Sequence, residues 1–168
     1  QKLDLAYKYI DLCKKIGADC VKFQLFKASD LLSKENKSYN LFLKNELPIK
    51  WLRLISNFAK KKKIDFMCSP FSTAAVNELK KINISCYKVA SSELLNFNLL
   101  NAIAKTKKPI VLSTGLASID EVKVSLNFLK IKKVKKIALL QCTSNYRTEN
   151  KDLNLNAIDT YRNIFNNI

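Results

Sequence analysis

The sequence contains no histidine, only two glycines and only three prolines in 168 residues. Without histidine, and with five cysteines (Cys13, Cys20, Cys68, Cys86 and Cys142) too dispersed to cluster, no metal site is complete within the chain. The cysteines form no Cys-x-x-Cys pair and fall mostly in expected strands or apolar helix faces, so reduced, buried thiols are expected. There is no G-x-G-x-x-G or Walker sequence, which argues against a dinucleotide-binding doubly wound sheet. No apolar run approaches the roughly 20 residues that cross a bilayer, and the N-terminus carries no signal-peptide pattern. A cytoplasmic protein with no membrane partner is expected. Arginine is scarce as well: the formal net charge is +16, yet Arg53, Arg147 and Arg162 are the only arginines, and readers of base edges depend on arginine. The lysines gather where helices are expected to end, at Lys60 to Lys63, Lys80-Lys81, Lys107-Lys108 and Lys132 to Lys136, where they complement the helix dipole. A solvated face is therefore preferred to a nucleic-acid groove, and the positive charge is expected to draw small anionic substrates.

Hydrophobic periodicity alternates between two kinds of segment. Leu3 to Ile16 reads as a helix with Leu3, Leu5, Ala6, Tyr9, Ile10, Leu12, Cys13 and Ile16 on one face, and Gly17 ends it. Asp19 to Phe26 reads as a strand, followed by a long asparagine-rich loop with irregular turns from Ala28 to Leu47. A helix from Pro48, a strand over Ile64 to Cys68 and a helix ending at Leu79 follow. The pattern then gives a strand over Ile82 to Val89, a helix over Phe97 to Ala104 and a strand over Pro109 to Leu112. Ser118 with Glu121 is a capping box for a helix through Leu129; Lys136 to Leu140 is a fifth strand, and Leu153 to Ile168 a last amphipathic helix. Strand and helix in regular alternation argue for an α/β fold with five parallel strands.

Every expected strand ends in polar side chains: Lys22 and Gln24, then Ser69, then Lys88, Ser91 and Glu93, then Ser113-Thr114, then Thr143 to Tyr146. A barrel gathers the C-terminal ends of its strands at one mouth, where substrates bind. Lys88, Ser91 and Glu93 share one side if the chain stays extended through them. An edge-strand lysine followed by a Ser-Ser helix cap would look the same, as would a half-solvated edge strand at Lys22 and Gln24. Two lysines, several hydroxyls and the loop bearing Gly115, which can aim amides at an anion, suit a phosphate or carboxylate, and Glu93 can move a proton.

Taken together, Val21-Lys22-Phe23-Gln24, Ser69-Pro70-Phe71, Tyr87-Lys88-Val89-Ala90-Ser91-Ser92-Glu93, Leu112-Ser113-Thr114-Gly115 and Cys142-Thr143-Ser144-Asn145-Tyr146 resemble the sialic acid synthase family in order and spacing. That family includes N-acetylneuraminate, legionaminate and pseudaminate synthases. The resemblance implies a (β/α)8 TIM barrel, of which residues 1–168 would be the middle of a single catalytic domain, without the first strand, the last two strands and a C-terminal antifreeze-like domain. It implies condensation of phosphoenolpyruvate with an N-acetylated amino sugar such as N-acetylmannosamine, with release of phosphate, by a homodimeric transferase of carbohydrate biosynthesis. It also implies a divalent metal, Mn2+ or Mg2+, whose ligands lie outside this chain, so a polypeptide of residues 1–168 alone is expected to be inactive. By motif, Lys22 and Lys88 would hold the phosphoenolpyruvate anion with Ser69. Ser91, Ser113 and Ser144 would meet its phosphate, and Gln24, Phe71 and Tyr146 would shape the pocket. Glu93 matches the catalytic carboxylate. Gln141, Leu116 and Arg147 depart from the common histidine, methionine and proline. The alternatives are a Schiff-base aldolase with Lys88 as nucleophile and a basic nucleic-acid-binding module.

Overall fold

The computed structural model describes residues 2–82, 84–145 and 147–165. Two compact units divide the chain, residues 1–86 and 87–168.

The first unit opens with α1 (Leu3–Lys15), β1 (Cys20–Leu25), and two short helices, α2 (Ala28–Leu31) and α3 (Tyr39–Asn45), inside the expected loop. Glu46 closes that loop onto its own start, accepting from the Ala28 amide at 2.7 Å and pairing with Lys27 at 2.8 Å. A 3-10 turn at Ile49–Trp51 leads into α4 (Leu52–Lys61), then β2 (Asp65–Pro70) and α5 (Thr73–Leu79). β1 and β2 pair in parallel, with Lys22 opposite Met67 and Gln24 opposite Ser69. Alternation puts Val21, Leu25, Phe66 and Cys68 on the buried face, while Lys22 and Gln24 point the other way and stay exposed. α4 buries Leu52, Ile55 and Ala59, and Phe58 stacks on Tyr7 of α1 at 4.3 Å. The single apolar face expected of α1 divides in two. Ala6 and Ile10 are buried, whereas Leu5, Tyr9, Leu12 and Ile16 form a separate exposed stripe.

The second unit carries β3 (Cys86–Val89, its first residue belonging to the first unit), a 3-10 turn at Ser91–Glu93, α6 (Phe97–Ala104), β4 (Ile110–Ser113), α7 (Ile119–Ile131), β5 (Ile137–Leu140) and α8 (Ala157–Ile164). β3, β4 and β5 pair in parallel, with Lys88 opposite Val111 and Ser113 opposite Leu140. Asn96 and Ser118 cap α6 and α7, the latter through the complete capping box with Glu121. β3 starts later than expected because Ile82 still donates to Leu79, so its backbone finishes the end of α5. α8 starts at Ala157 and not at Leu153, since a 3-10 turn at Asn150–Asp152 and a left-handed Asn154 (φ 45°) intervene. All five cysteines are free, but only Cys68 is fully buried; the others are partly exposed.

Scarce glycine leaves a mark on the helix ends. Gly17, Lys63 and Lys133 all sit at positive φ (81°, 55° and 58°) just past α1, α4 and α7. In each case the next residue's amide donates to the carbonyl five residues back, as Val134 does to Leu129, and the residue's own amide donates three residues back, as Lys133 does to Lys130. A side chain in that conformation costs on the order of 1 kcal/mol. Lys133→Gly is accordingly expected to raise stability by about 0.5 kcal/mol, the remainder being offset by the freer unfolded chain, as a higher denaturant midpoint would show.

Candidate active site

In the first unit the strand ends present Lys22, Gln24 and Ser69 on one face of the β1–β2 ladder. Ser69 differs from its neighbours. It is 1% exposed, and its hydroxyl oxygen is buried without a hydrogen-bond partner among the described residues. An unsatisfied buried hydroxyl costs roughly 1–3 kcal/mol, so its persistence at a strand end points to a ligand partner. Phe71 packs its ring edge-on against Phe26 at 6.0 Å, and its amide donates to Leu25, so it belongs to an aromatic cluster beside the strand ends.

In the second unit Lys88 lies half-buried on β3, one residue before the chain stops being extended. The 3-10 turn at Ser91–Glu93 ends the alternation that would have aligned Lys88, Ser91 and Glu93. It turns the Glu93 carboxylate, 9% exposed, toward Ser92, which donates to it at 3.2 Å, and Asn96, which donates at 2.8 Å. Asn96 also accepts from the Leu99 amide at the start of α6, so the same side chain caps a helix and fixes the carboxylate.

Ser91 and Ser113 share a further feature. Ser91 Oγ accepts from the Gly115 amide at 3.0 Å, and Ser113 Oγ accepts from the Cys142 thiol at 3.4 Å. Each hydroxyl is fixed through its oxygen and retains its own proton for donation, because no acceptor within the described residues takes it. The Gly115 amide is thus spent on Ser91 and is not itself aimed at an anion, contrary to the expectation from sequence. Gly115 is required for close approach: a Cβ there would lie 2.6 Å from Ser144 Oγ, 2.9 Å from Ser91 Oγ and 3.3 Å from the Cys142 carbonyl oxygen. The left-handed conformation falls instead on the next residue, Leu116 (φ 63°). Ser91 and Ser144 therefore converge on one backbone position. Tyr146 lies outside the described residues.

Sequence reasoning missed the support behind this cluster. The Thr114 hydroxyl donates to the Leu140 carbonyl at 2.9 Å and meets the Tyr161 hydroxyl at 3.0 Å, which in turn reaches Gln141 at 3.4 Å. α8 is thereby tied to the ends of β4 and β5. Beside it opens a cleft of about 650 Å³ bordered by Thr114, Ser118, Gln141, Ser144, Asn154 and Tyr161. Burial pushes the thiols of Cys20 and Cys68 up to about 11 and about 12 and raises that of Cys86, which argues against any of the three as a nucleophile. Among the described residues no three Cys, Asp or Glu side chains lie close enough together to hold a metal ion.

Residues 9–168 match the NeuB family. The chain belongs to that family. It is 34% identical over 179 residues to N,N'-diacetyllegionaminic acid synthase of Campylobacter jejuni, covering 97% of this chain and 54% of the relative. Pseudaminic acid synthase of Helicobacter pylori is 32% identical over 170 residues, covering 92% and 50%. The crystal structure of N-acetylneuraminic acid (sialic acid) synthetase from Leptospira borgpetersenii matches with a TM-score of 0.92 at 32% identity, over 96% of this chain and 56% of that one. This NeuB chain is a partial TIM barrel, α/β with five parallel strands alternating with helices, and it spans about half the length of the relatives it matches. No helix among its described residues is long and apolar enough to cross a membrane.

Proposed function

We propose that the protein of which this chain is part condenses phosphoenolpyruvate with an N-acetylated amino sugar, N-acetylmannosamine or a related aldehyde, and releases phosphate. The observation that carries this reading is the pair of hydroxyls at Ser91 and Ser113, each fixed through its oxygen with its proton left to donate, beside Ser144 at the Gly115 turn. Such donors suit a phosphate oxygen, which accepts strongly and offers no proton in return. In this proposal Lys22, Lys88 and Ser69 hold the carboxylate and neutralise the anion, while Gln24, Phe71 and Tyr146 shape the pocket. Addition of the phosphoenolpyruvate methylene carbon to the aldehyde develops negative charge on the aldehyde oxygen, which takes up a proton, and leaves C2 electron-poor. Water adds at C2, and phosphate departs from the resulting tetrahedral carbon to leave the keto acid. Glu93, fixed by Ser92 and Asn96, is the group assigned to move a proton at the aldehyde oxygen. A divalent metal, Mn2+ or Mg2+, belongs to the proposal only through side chains outside this chain. In the same proposal the full-length protein is a cytoplasmic homodimer, and the polypeptide of residues 1–168 alone is expected to release no phosphate.

The test is to assay the full-length protein for phosphate release with phosphoenolpyruvate and a panel of N-acetylated hexosamines. In parallel, the protein is treated with pyruvate and borohydride. Phosphate release that depends on one sugar and leaves no adduct on Lys88 is expected. A reduced pyruvyl adduct on Lys88 without phosphate release would replace this reading with a Schiff-base aldolase. Salt-sensitive duplex binding that is indifferent to Lys88→Ala, with no turnover, would replace both with a nucleic-acid module.

Ser69→Ala gives an independent check. Removing an unpartnered buried hydroxyl is expected to leave thermal stability unchanged or slightly higher, while phosphoenolpyruvate affinity drops about tenfold, the loss of one charge-assisted hydrogen bond. A drop in stability with affinity intact would assign Ser69 a structural role.

A further inference from the structure

Arg53 is one of only three arginines in a chain whose cations are otherwise lysine. It stands on α4, with Asn57 and Lys60 at the i+4 and i+7 positions, which places all three along one face of the helix. That face forms a wall of a cleft of about 330 Å³ within the first unit, completed by Asp65, Lys81 and Ser85 near the start of β2 and beyond the end of α5. The cleft lies at the N-terminal end of β2, whereas Ser69 and the strand ends of the candidate active site lie at its C-terminal end.

The ionic state of the cleft sets it apart from the rest of the lysine-rich surface. Two of its charged groups are already committed: Asp65, its one carboxylate, accepts the Ser85 hydroxyl at 2.9 Å, and Lys81 is paired with Glu78 at 2.7 Å. Arg53 and Lys60 have neither an ion pair nor a side-chain hydrogen bond among the described residues. A planar guanidinium with five donors and an ammonium two turns along the same helix face therefore border a concavity with no anion assigned to them. A guanidinium favours planar, bidentate recognition of carboxylate or phosphate oxygens, and a concave wall strengthens the attraction by displacing water.

We propose that this cleft binds a small organic phosphate, with Arg53 and Lys60 holding the phosphate oxygens and Asn57 and Ser85 contacting the attached polar body. The volume accommodates a phosphorylated monosaccharide. The site is separate from the proposed phosphoenolpyruvate site and does not depend on it.

The test uses the full-length protein and two probes, inorganic phosphate and glucosamine 6-phosphate, titrated by calorimetry at low and at physiological salt. Comparison of the parent with Arg53→Gln/Lys60→Gln isolates this cleft from any phosphate bound at the strand ends. Lys8→Gln/Lys15→Gln removes the same charge from exposed positions on α1 and serves as the control. Saturable binding of glucosamine 6-phosphate is expected, weakened about tenfold or more by the α4 pair and less than about twofold by the α1 pair. Equal weakening by both pairs would show diffuse attraction to a basic surface and overturn the proposal. Binding of inorganic phosphate as tight as that of the sugar phosphate would remove the polar body from it, and no binding component sensitive to the α4 pair would end it. Arg53 and Lys60 are exposed helix positions, and far-ultraviolet circular dichroism with unchanged thermal midpoints verifies that the variants remain folded.

Discussion

Gly115→Ala in the full-length protein is expected to lower phosphate release at least about a hundredfold, with the Michaelis constant for phosphoenolpyruvate rising and the fold retained. The added Cβ would meet three atoms, and they differ in how readily they yield. Ser144 Oγ, 2.6 Å away, is the tip of an exposed side chain and can rotate aside, but doing so withdraws it from the cluster. Ser91 Oγ, at 2.9 Å, is held by the hydrogen bond from the same Gly115 amide, so it moves only by breaking that bond. The Cys142 carbonyl at 3.3 Å is backbone, and shifting it disturbs the thiol that donates to Ser113. Each route of relief displaces a hydroxyl proposed to hold phosphate, and displacements of about 1 Å near a reacting centre cost about a hundredfold. Gly17→Ala provides the contrast. Gly17 has a left-handed φ of 81° with nothing within 4 Å of a Cβ, so the change should cost on the order of 1 kcal/mol of stability and no activity. Phosphoenolpyruvate affinity within about twofold of the parent in Gly115→Ala would remove the Ser91–Ser144 pair from the phosphate site.

The two glycines also show where the sequence was readable. A glycine after a helix and one after a strand are both punctuation, and both were located from sequence. What separates them is distance to other backbone segments, which depends on Ser91 and Cys142 arriving from 24 and 27 positions away in the chain. The polar strand ends were legible because the period of two survives in a parallel strand with one polar face, as at Lys22 and Gln24 opposite Met67 and Ser69. The same rule failed past Ala90. Ser-Ser-Glu folds into a 3-10 turn whose carboxylate is claimed by Asn96, a local choice that alternation does not encode. The tie from Tyr161 to Thr114 spans 47 positions and joins a motif residue to one that bears no motif, so nothing short of the fold reveals it.

A polypeptide of residues 1–168 alone is expected to self-associate, and Leu5→Glu/Tyr9→Lys/Leu12→Lys/Ile16→Glu is expected to restore the monomer. These four side chains recur at i, i+4, i+7 and i+11 along α1 and are 54%, 57%, 53% and 71% exposed, while Ala6 and Ile10 face the core and Tyr7 meets α4 through Phe58. Helical periodicity marked the residues as apolar without telling which neighbour each one meets, which is why one face was expected and two exist. In a closed barrel each outer helix lies between two others; α1 packs on α4, and its exposed stripe is left open. An open stripe of this kind favours association between copies in solution. In the full-length protein the stripe is expected to be covered by the remainder of the ring. Covering the exposed half of each side chain contributes about 1 kcal/mol, on the order of 4 kcal/mol for the four together. The same substitutions should therefore act with opposite signs: sedimentation of the 168-residue polypeptide should shift from associated to monomeric, while the thermal midpoint of the full-length protein should fall by roughly 8 °C or more. A full-length protein indifferent to the four changes would mean that α1 keeps this face in water in the complete barrel.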